Sequence, residues 1–176
     1  MRRFALALAA LLAPVSGLAA AAEPPCLSPG EFGALSTYSL PSLISGTTQR
    51  CAASLPADAW LRANGGGLAD RYASLRPRAW PGAKAAFVKV APSVNPMVVD
   101  VMDKLPDETI QQLVNAWMEA LVVQQLPVER CGKIDRLLRL LSPLPPESTA
   151  ELLGLAIGFG AKSGGGRFGK LAICPA

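Results

Sequence analysis

The 176-residue sequence contains no histidine. Histidine is the usual general base near neutral pH and the commonest nitrogen ligand of zinc, so serine–histidine hydrolase triads and histidine-bearing metal sites are excluded. The Ser-x-x-Lys hydrolase signature is absent as well. The sequence therefore predicts no catalytic, cofactor-binding or metal-ligating residue. A carboxylate-based cell-wall hydrolase, drawing on Glu108, Glu119 and Glu151, is the remaining catalytic alternative.

Long apolar runs are scarce, and the one that exists lies at the N-terminus. "MRR" is followed by the apolar run "FALALAALLAPVSGLA" and then by small residues that include Ala20 and Ala22. This pattern is typical of a secretory signal peptide covering residues 1–22, with Glu23 first in the mature chain. Pro14 and Gly17 interrupt the run, which argues against a membrane anchor. We expect one exported domain over residues 23–176, periplasmic or extracellular and without a transmembrane span, in a bacterial envelope.

Only four cysteines occur, at positions 26, 51, 131 and 174, all in the predicted mature chain. An even number of cysteines in an oxidising compartment indicates two disulfides, for which three connectivities are possible. We favour Cys26–Cys51 and Cys131–Cys174, which join neighbours in the sequence. The long spacings and the missing histidine argue against a zinc site.

The net charge is small, but charged residues are unevenly distributed along the chain. Loss of residues 1–22 lowers the net charge from +4 to +2, which argues against nucleic-acid binding. Residues 50–90 nevertheless carry a net +5 and residues 91–129 a net −5. We predict that the basic section carries a surface that binds another envelope protein or, alternatively, lipid or another anionic surface. Its residues are Trp60, Arg62, Arg71, Tyr72, Arg76, Arg78 and Trp80. The other interpretation is that the two oppositely charged sections are solvated or dock on each other within the fold.

The apolar pattern is helical throughout, and no sustained alternation indicates a sheet. We predict an all-α bundle of about six to eight short helices. "SPGE" at 28–31 is a capping-box start, and a second helix is expected from about Pro41 to Cys51. Another helix is expected to end at the glycines 65–67, with a short one after it, and "RPRAWPG" is expected to precede the next.

"DETIQQLVNAWMEALVVQQL" at 107–126 is the strongest and longest predicted helix. Its inward face is expected to hold Ile110, Leu113, Val114, Trp117, Leu121 and Gln124. A repeated Leu-Pro-x-Glu-[Ser/Thr] motif at 105–109 and 144–148 suggests two similar helical hairpins. The alternative is that this motif is only a common way to start a helix.

Between these motifs, "KIDRLLRLLSPL" at 133–144 is amphipathic. Its residues Ile134, Leu137, Leu138 and Leu141 would line a pocket if the protein carried a lipid or another apolar ligand. The alternative is an ordinary core-facing helix. The leading functional hypothesis is a non-catalytic binding module that meets another protein through exposed helix faces near residues 60–90 or 128–141, with the apolar-ligand carrier second.

The stretch "GAKSGGGRFGK" at 160–170 resembles glycine-rich nucleotide-binding loops in its spacing alone. A dinucleotide fingerprint needs a strand before it, but the preceding pattern is helical. A phosphate loop needs Ser or Thr where this chain has Leu171. We interpret the stretch as a flexible strap and predict no cofactor.

Overall fold

The computed structural model describes residues 26–94, 102, 104–149, 152, 167–168 and 171–174. The helices in this part of the chain confirm the all-α prediction. They include α1 (Pro29–Cys51), α2 (Trp60–Ala73), α3 (Arg76–Val94), α4 (Asp107–Gln125), a 3₁₀ helix (Val128–Arg130) and α5 (Cys131–Leu141). The predicted signal peptide and the first mature residues lie outside the described residues.

The central element is α1, which packs against α2, α3 and α4. It begins with the predicted capping box. The Ser28 hydroxyl accepts a hydrogen bond from the backbone N–H of Glu31, and the Glu31 carboxylate accepts one from the backbone N–H of Ser28. The predicted break near Pro41 is wrong, because this proline is buried within α1. Packing on three neighbouring helices outweighs the cost of a proline inside a helix, about 3 kcal/mol.

Three glycines allow the helices around α1 to approach it closely. A Cβ atom on Gly46 of α1 would lie 2.8 Å from the backbone oxygen of Glu119 in α4. Gly65 of α2 faces Thr48 of α1 just as closely. A Cβ atom on Gly82 of α3 would lie 2.7 Å from the Cβ atom of Ala34 in α1. Each contact between α1 and a neighbouring helix therefore depends on one position without a side chain.

This packing also corrects two predicted helix boundaries. The glycines 65–67 do not end a helix, since α2 continues through them with Gly65 facing α1. "RPRAWPG" does not precede a helix but forms the first turns of α3, with Pro81 inside it. In both cases tertiary contacts outweigh the low helix propensity of glycine or proline.

Buried residues form clusters at both ends of α1. Toward its N-terminus, Leu27, Tyr38, Trp80, Phe87 and Ile110 belong to one buried cluster between α1, α3 and α4. Toward its C-terminus the buried residues lie between α1, α2 and α5. They form two further clusters, one with Cys51, Leu55, Ala59, Leu61 and Cys131 and one with Ile44, Leu68 and Tyr72.

A small three-stranded sheet joins distant parts of the chain. Its strands are β1 (Cys26–Leu27), β2 (Arg167–Phe168) and β3 (Leu171–Ile173), in the order β1-β3-β2. β1 and β3 are parallel, with Cys26 opposite Ala172, and β2 is antiparallel to β3. Part of the predicted strap at 160–170 is therefore a strand. Its remaining residues lie outside the described part of the chain.

The protein contains two disulfides, as predicted, but with a different connectivity. Cys26 is bonded to Cys174, with 5.0 Å between their Cα atoms, and Cys51 is bonded to Cys131, with 5.5 Å. The favoured pairs Cys26–Cys51 and Cys131–Cys174 are therefore wrong. The length of α1 separates Cys26 from Cys51, and β3 carries Cys174 beside β1. Proximity in the fold, not in the sequence, decides the pairing.

The repeated motif begins a helix in both places. Pro106 accepts a backbone hydrogen bond from Ile110, and Pro145 accepts the equivalent bond from Thr149, 39 residues further along. Both donors are buried. The other helix of the first predicted hairpin falls mostly outside the described residues. α4 is confirmed within one residue of its expected end, although α1 is the longer helix.

Candidate interaction surface

α5 is fixed to the rest of the protein at its start, middle and end. Its first residue, Cys131, is disulfide-bonded to the last residue of α1. The Asp135 carboxylate accepts a 2.6 Å hydrogen bond from the backbone N–H of Leu61, in the first turn of α2. The residue before α2, Ala59, has no capping side chain, so Asp135 supplies the cap from another helix. Beyond the C-terminus of α5, the Ser142 carbonyl oxygen accepts a hydrogen bond from Arg71.

The opposite side of α5 faces solvent and combines cations with leucines. We call this surface the α5 outer face. Leu137 and Leu140 are 54% and 69% exposed. The face consists of Lys133, Arg136, Leu137, Arg139 and Leu140, all exposed. The single carboxylate of α5 points away from it, toward α2.

The residues of the predicted apolar pocket do not share one environment. Leu138 packs into both clusters at the C-terminal end of α1. Ile134 and Leu141 are partly buried, whereas Leu137 is mainly in solvent. Contacts with α2 therefore occupy part of this face, and Leu137 belongs to the α5 outer face instead.

α4 packs on α1 with a different face from the predicted one. Ile110 is buried and Val114 packs against the core, as expected. Leu113 and Trp117, however, are 55% and 47% exposed, and Gln124 is exposed as well. The contact of Gly46 with the α4 backbone brings Glu119 and Val122 toward α1, which rotates Leu113 and Trp117 outward.

The aromatic members of the partner surface predicted in the basic section are mostly internal, which is a correction. Tyr72 and Trp80 are 3% and 7% exposed, because they pack into the clusters on either end of α1. Trp60, the first residue of α2, is partly buried against both clusters near the C-terminal end of α1. Aromatic surface available to a partner is therefore far smaller here than the sequence suggested.

Arg62, Arg71 and Arg76 of that surface bind backbone or side-chain oxygens of the protein itself. Arg62 donates to the carbonyl oxygens of Ala52 and Leu55 after α1. Arg71 binds Ser142 as described above. These bonds hold the loop between α1 and α2 and the end of α5. Arg78, by contrast, is exposed.

Arg76 joins the start of α3 to the middle of α1. Its Nη2 donates a 2.7 Å hydrogen bond to the buried Ser42 hydroxyl, and its Nε donates to the Tyr38 carbonyl oxygen. The guanidinium carbon lies 5.5 Å from the centre of the Tyr38 ring. Burial lowers the pKa of Arg76 and raises the pKa of Tyr38. These interactions are within the fold, so Arg76 is also a poor candidate for partner contact.

The two oppositely charged sections meet at a partly exposed contact between α3 and the start of α4. Asp107, at the start of α4, accepts hydrogen bonds from Lys84 at 2.5 Å and from the Trp80 indole N–H at 2.7 Å. The hydrogen bond from Lys84 and then that from Trp80 lower the pKa of the Asp107 carboxyl. One ion pair, between Lys84 of α3 and Asp107 at the start of α4, therefore links the two oppositely charged sections.

The predicted carboxylates do not form a hydrolase pair on α4. Glu108 and Glu119 lie eleven residues apart on one helix, a rise of about 16 Å. A glycosidase pair requires about 5–9.5 Å between its carboxyl groups. Glu151 lies outside the described residues. Among the described residues, no group of three or more acidic or cysteine side chains is placed to hold a metal ion.

Comparison with protein-family models, with curated proteins and with solved structures finds no match to this chain. Within the described part of the chain, no helix has both the length and the apolar character needed to cross a membrane. The amphipathic character of α5 is visible in the sequence, but Leu137 was predicted to line an internal pocket and Leu140 was not among the predicted surface residues. The available signal was the spacing of Leu137 and Leu140 among Lys133, Arg136 and Arg139.

Proposed function

We propose that this protein is an exported, disulfide-stabilised and non-catalytic binding module of the bacterial cell envelope, and that it binds through the α5 outer face. The observation that carries the proposal is the exposure of Leu137 and Leu140 on a helix that is otherwise firmly attached. A leucine this exposed needs no explanation alone, but two on adjacent turns beside three cations form a continuous surface.

A rigid support for this surface favours binding. The Cys51–Cys131 disulfide and the Asp135 cap hold α5 in one orientation before any partner arrives. A surface that is already ordered loses less conformational entropy on association. The two disulfides also support an oxidising compartment, as the signal peptide predicts.

The catalytic and ligand-carrying alternatives receive less support. The two described carboxylates of the hydrolase hypothesis are too far apart along α4 for one glycosidic bond. The leucines of the carrier hypothesis are divided between core and solvent. Neither arrangement provides a site at which chemistry or enclosure of a ligand would occur.

Co-sedimentation with bacterial envelope fragments tests the proposal. The purified oxidised protein, starting at Glu23, would be mixed with washed fragments containing both membrane proteins and lipid. Leu137→Ser/Leu140→Ser is expected to reduce the bound fraction strongly. Leu113→Ser is the matched control, since Leu113 is equally exposed but lies on α4. Equal binding by the two variants would show that the α5 outer face is not the binding surface.

Export is tested separately by the intact mass of the protein recovered from a bacterial periplasm or medium. A chain beginning at Glu23 and four hydrogen atoms lighter than its reduced form is expected. A chain that retains residues 1–22 would contradict the predicted signal peptide.

A further inference from the structure

We propose that the α5 outer face docks on an anionic membrane surface, with its cations on lipid headgroups and its leucines at the boundary of the acyl chains. This inference rests on the proposed function and specifies the partner. It concerns adsorption to a surface and not insertion across it, since α5 is only 11 residues long.

The first argument is the charge of the face. Lys133, Arg136 and Arg139 are all exposed on it. Asp135, the one carboxylate in α5, is turned away and accepts the hydrogen bond from Leu61. The nearest acidic residues along the chain, Glu129 and Glu147, lie beyond the two ends of the helix. The cations therefore remain available to an anionic surface.

The second argument is the arrangement of leucines among these cations. Leu137 follows Lys133 by four residues, and Leu140 follows Arg136 by four residues, so each leucine lies one turn from a cation on the same side. Long basic side chains extend to headgroups while neighbouring apolar side chains enter the region beneath them. The cations and the leucines of this face can thus interact with one lipid surface at the same time.

The third argument distinguishes a membrane from a protein partner. Protein interfaces are enriched in aromatic side chains and depleted of lysine, and their strongest contacts are usually Trp, Tyr or Arg in a pocket. The α5 outer face contains no aromatic residue, includes Lys133, and presents its two arginines, Arg136 and Arg139, exposed on a helix surface. Its composition instead corresponds to a basic amphipathic surface that lies on anionic lipid.

Vesicle binding of the complete oxidised protein tests this inference. Vesicles of phosphatidylcholine alone would be compared with vesicles rich in phosphatidylglycerol, and the bound fraction measured by sedimentation. Binding is expected only to the anionic vesicles. It should be lost at about 1 M salt, where the Debye length falls to roughly 3 Å.

Variants distinguish vesicle binding through the α5 outer face from general electrostatic attraction to the net charge of the protein. Lys133→Gln/Arg136→Gln is expected to weaken vesicle binding about 25-fold, since each cation near an anionic surface contributes roughly fivefold. Arg78→Gln/Lys104→Gln removes the same net charge from exposed positions elsewhere and is expected to change binding less than about twofold. Leu140→Ala keeps the charge and is expected to weaken binding about tenfold through lost apolar contact. Circular dichroism would establish that each variant is folded.

Equal losses for the two charge variants would overturn the inference, because binding would then follow net charge and not the α5 outer face. Failure to bind phosphatidylglycerol vesicles would also overturn it. If envelope fragments still bound the protein through Leu137 and Leu140, the proposed function would stand with a protein partner. If envelope binding were also insensitive to these residues, both the inference and the proposed function would be wrong.

Discussion

Replacing Gly46 by alanine is expected to destabilise the protein, although alanine is the better helix former by about 1 kcal/mol. The added Cβ atom would lie 2.8 Å from the Glu119 carbonyl oxygen and 3.0 Å from the Val122 Cβ atom. Neither atom can rotate away, because one is backbone and the other is fixed to it, so α1 and α4 must separate. Overpacking of this kind costs about 1–3 kcal/mol. After the gain in helix propensity is subtracted, we expect a net loss of up to about 2 kcal/mol and a Tm lower by up to about 8 °C.

Gly67→Ala is the matched control. Gly67 also lies inside a helix, but a Cβ atom there would meet nothing within 4 Å. Only the propensity gain applies, so the Tm is expected to rise by about 2–3 °C. Thermal unfolding of the oxidised protein, followed by circular dichroism, measures both. A similar rise in Tm for Gly46→Ala and Gly67→Ala would refute the argument that close approach to α4 requires glycine in α1.

The other predictions concern a disulfide and a titrating group. The Cys51→Ala/Cys131→Ala variant is expected to lose about 2–4 kcal/mol of stability in urea unfolding, because the bond closes a loop with a sequence separation of 80. An unchanged urea midpoint would contradict this. Hydrogen bonds from the Ser28 backbone and from Lys89 lower the pKa of Glu31 from 4.5 to about 2. Because this pKa is lower in the folded state, the ionised Glu31 carboxylate stabilises the fold. This stabilisation is complete above about pH 4.5 and is lost as the pH falls toward 2. Glu31→Gln should remove that part of the acid dependence, and an unchanged acid profile would show that Glu31 is not responsible.

Sequence reasoning succeeded where local interactions decide the structure. The capping box of Ser28 and Glu31 and the start of α4 after Pro106 depend on residues within one helical turn. Such signals are complete in the sequence, because donor and acceptor are neighbours along the chain. Helix class follows for the same reason, from the spacing of apolar residues.

It failed where a distant segment decides. A helix was expected to begin near Pro41 and another to end at Gly65, but Pro41 lies inside α1, and Gly65 lies inside α2, which packs against α1. The inward face of α4 is set by the contact of its Glu119 with Gly46, which lies 73 positions earlier in the sequence, so no local spacing shows which face of α4 meets α1.

The candidate surface was predicted only in part for the same physical reason. The amphipathic pattern of residues 133–144 is visible in the sequence, but periodicity does not show how much of an apolar face a neighbour will cover. Asp135 and Leu138 take the contacts with α2 and the core, which leaves Leu137 in solvent. The contacts of the arginines are not visible in the sequence either. Arg62 binds the Ala52 carbonyl oxygen and Arg76 binds the Ser42 hydroxyl in another helix, and no sequence motif indicates these contacts.

The two disulfides are nested, with Cys51–Cys131 lying wholly inside the loop closed by Cys26–Cys174. Because the chain emerges with its N-terminus first, Cys51 and Cys131 become available to Cys26 long before its native partner, Cys174. Consecutive oxidation would therefore trap the sequence-neighbour pairs, and thiol–disulfide exchange would have to undo them. The protein is thus expected to depend on a disulfide isomerase more strongly than a chain whose cysteines pair in order of appearance.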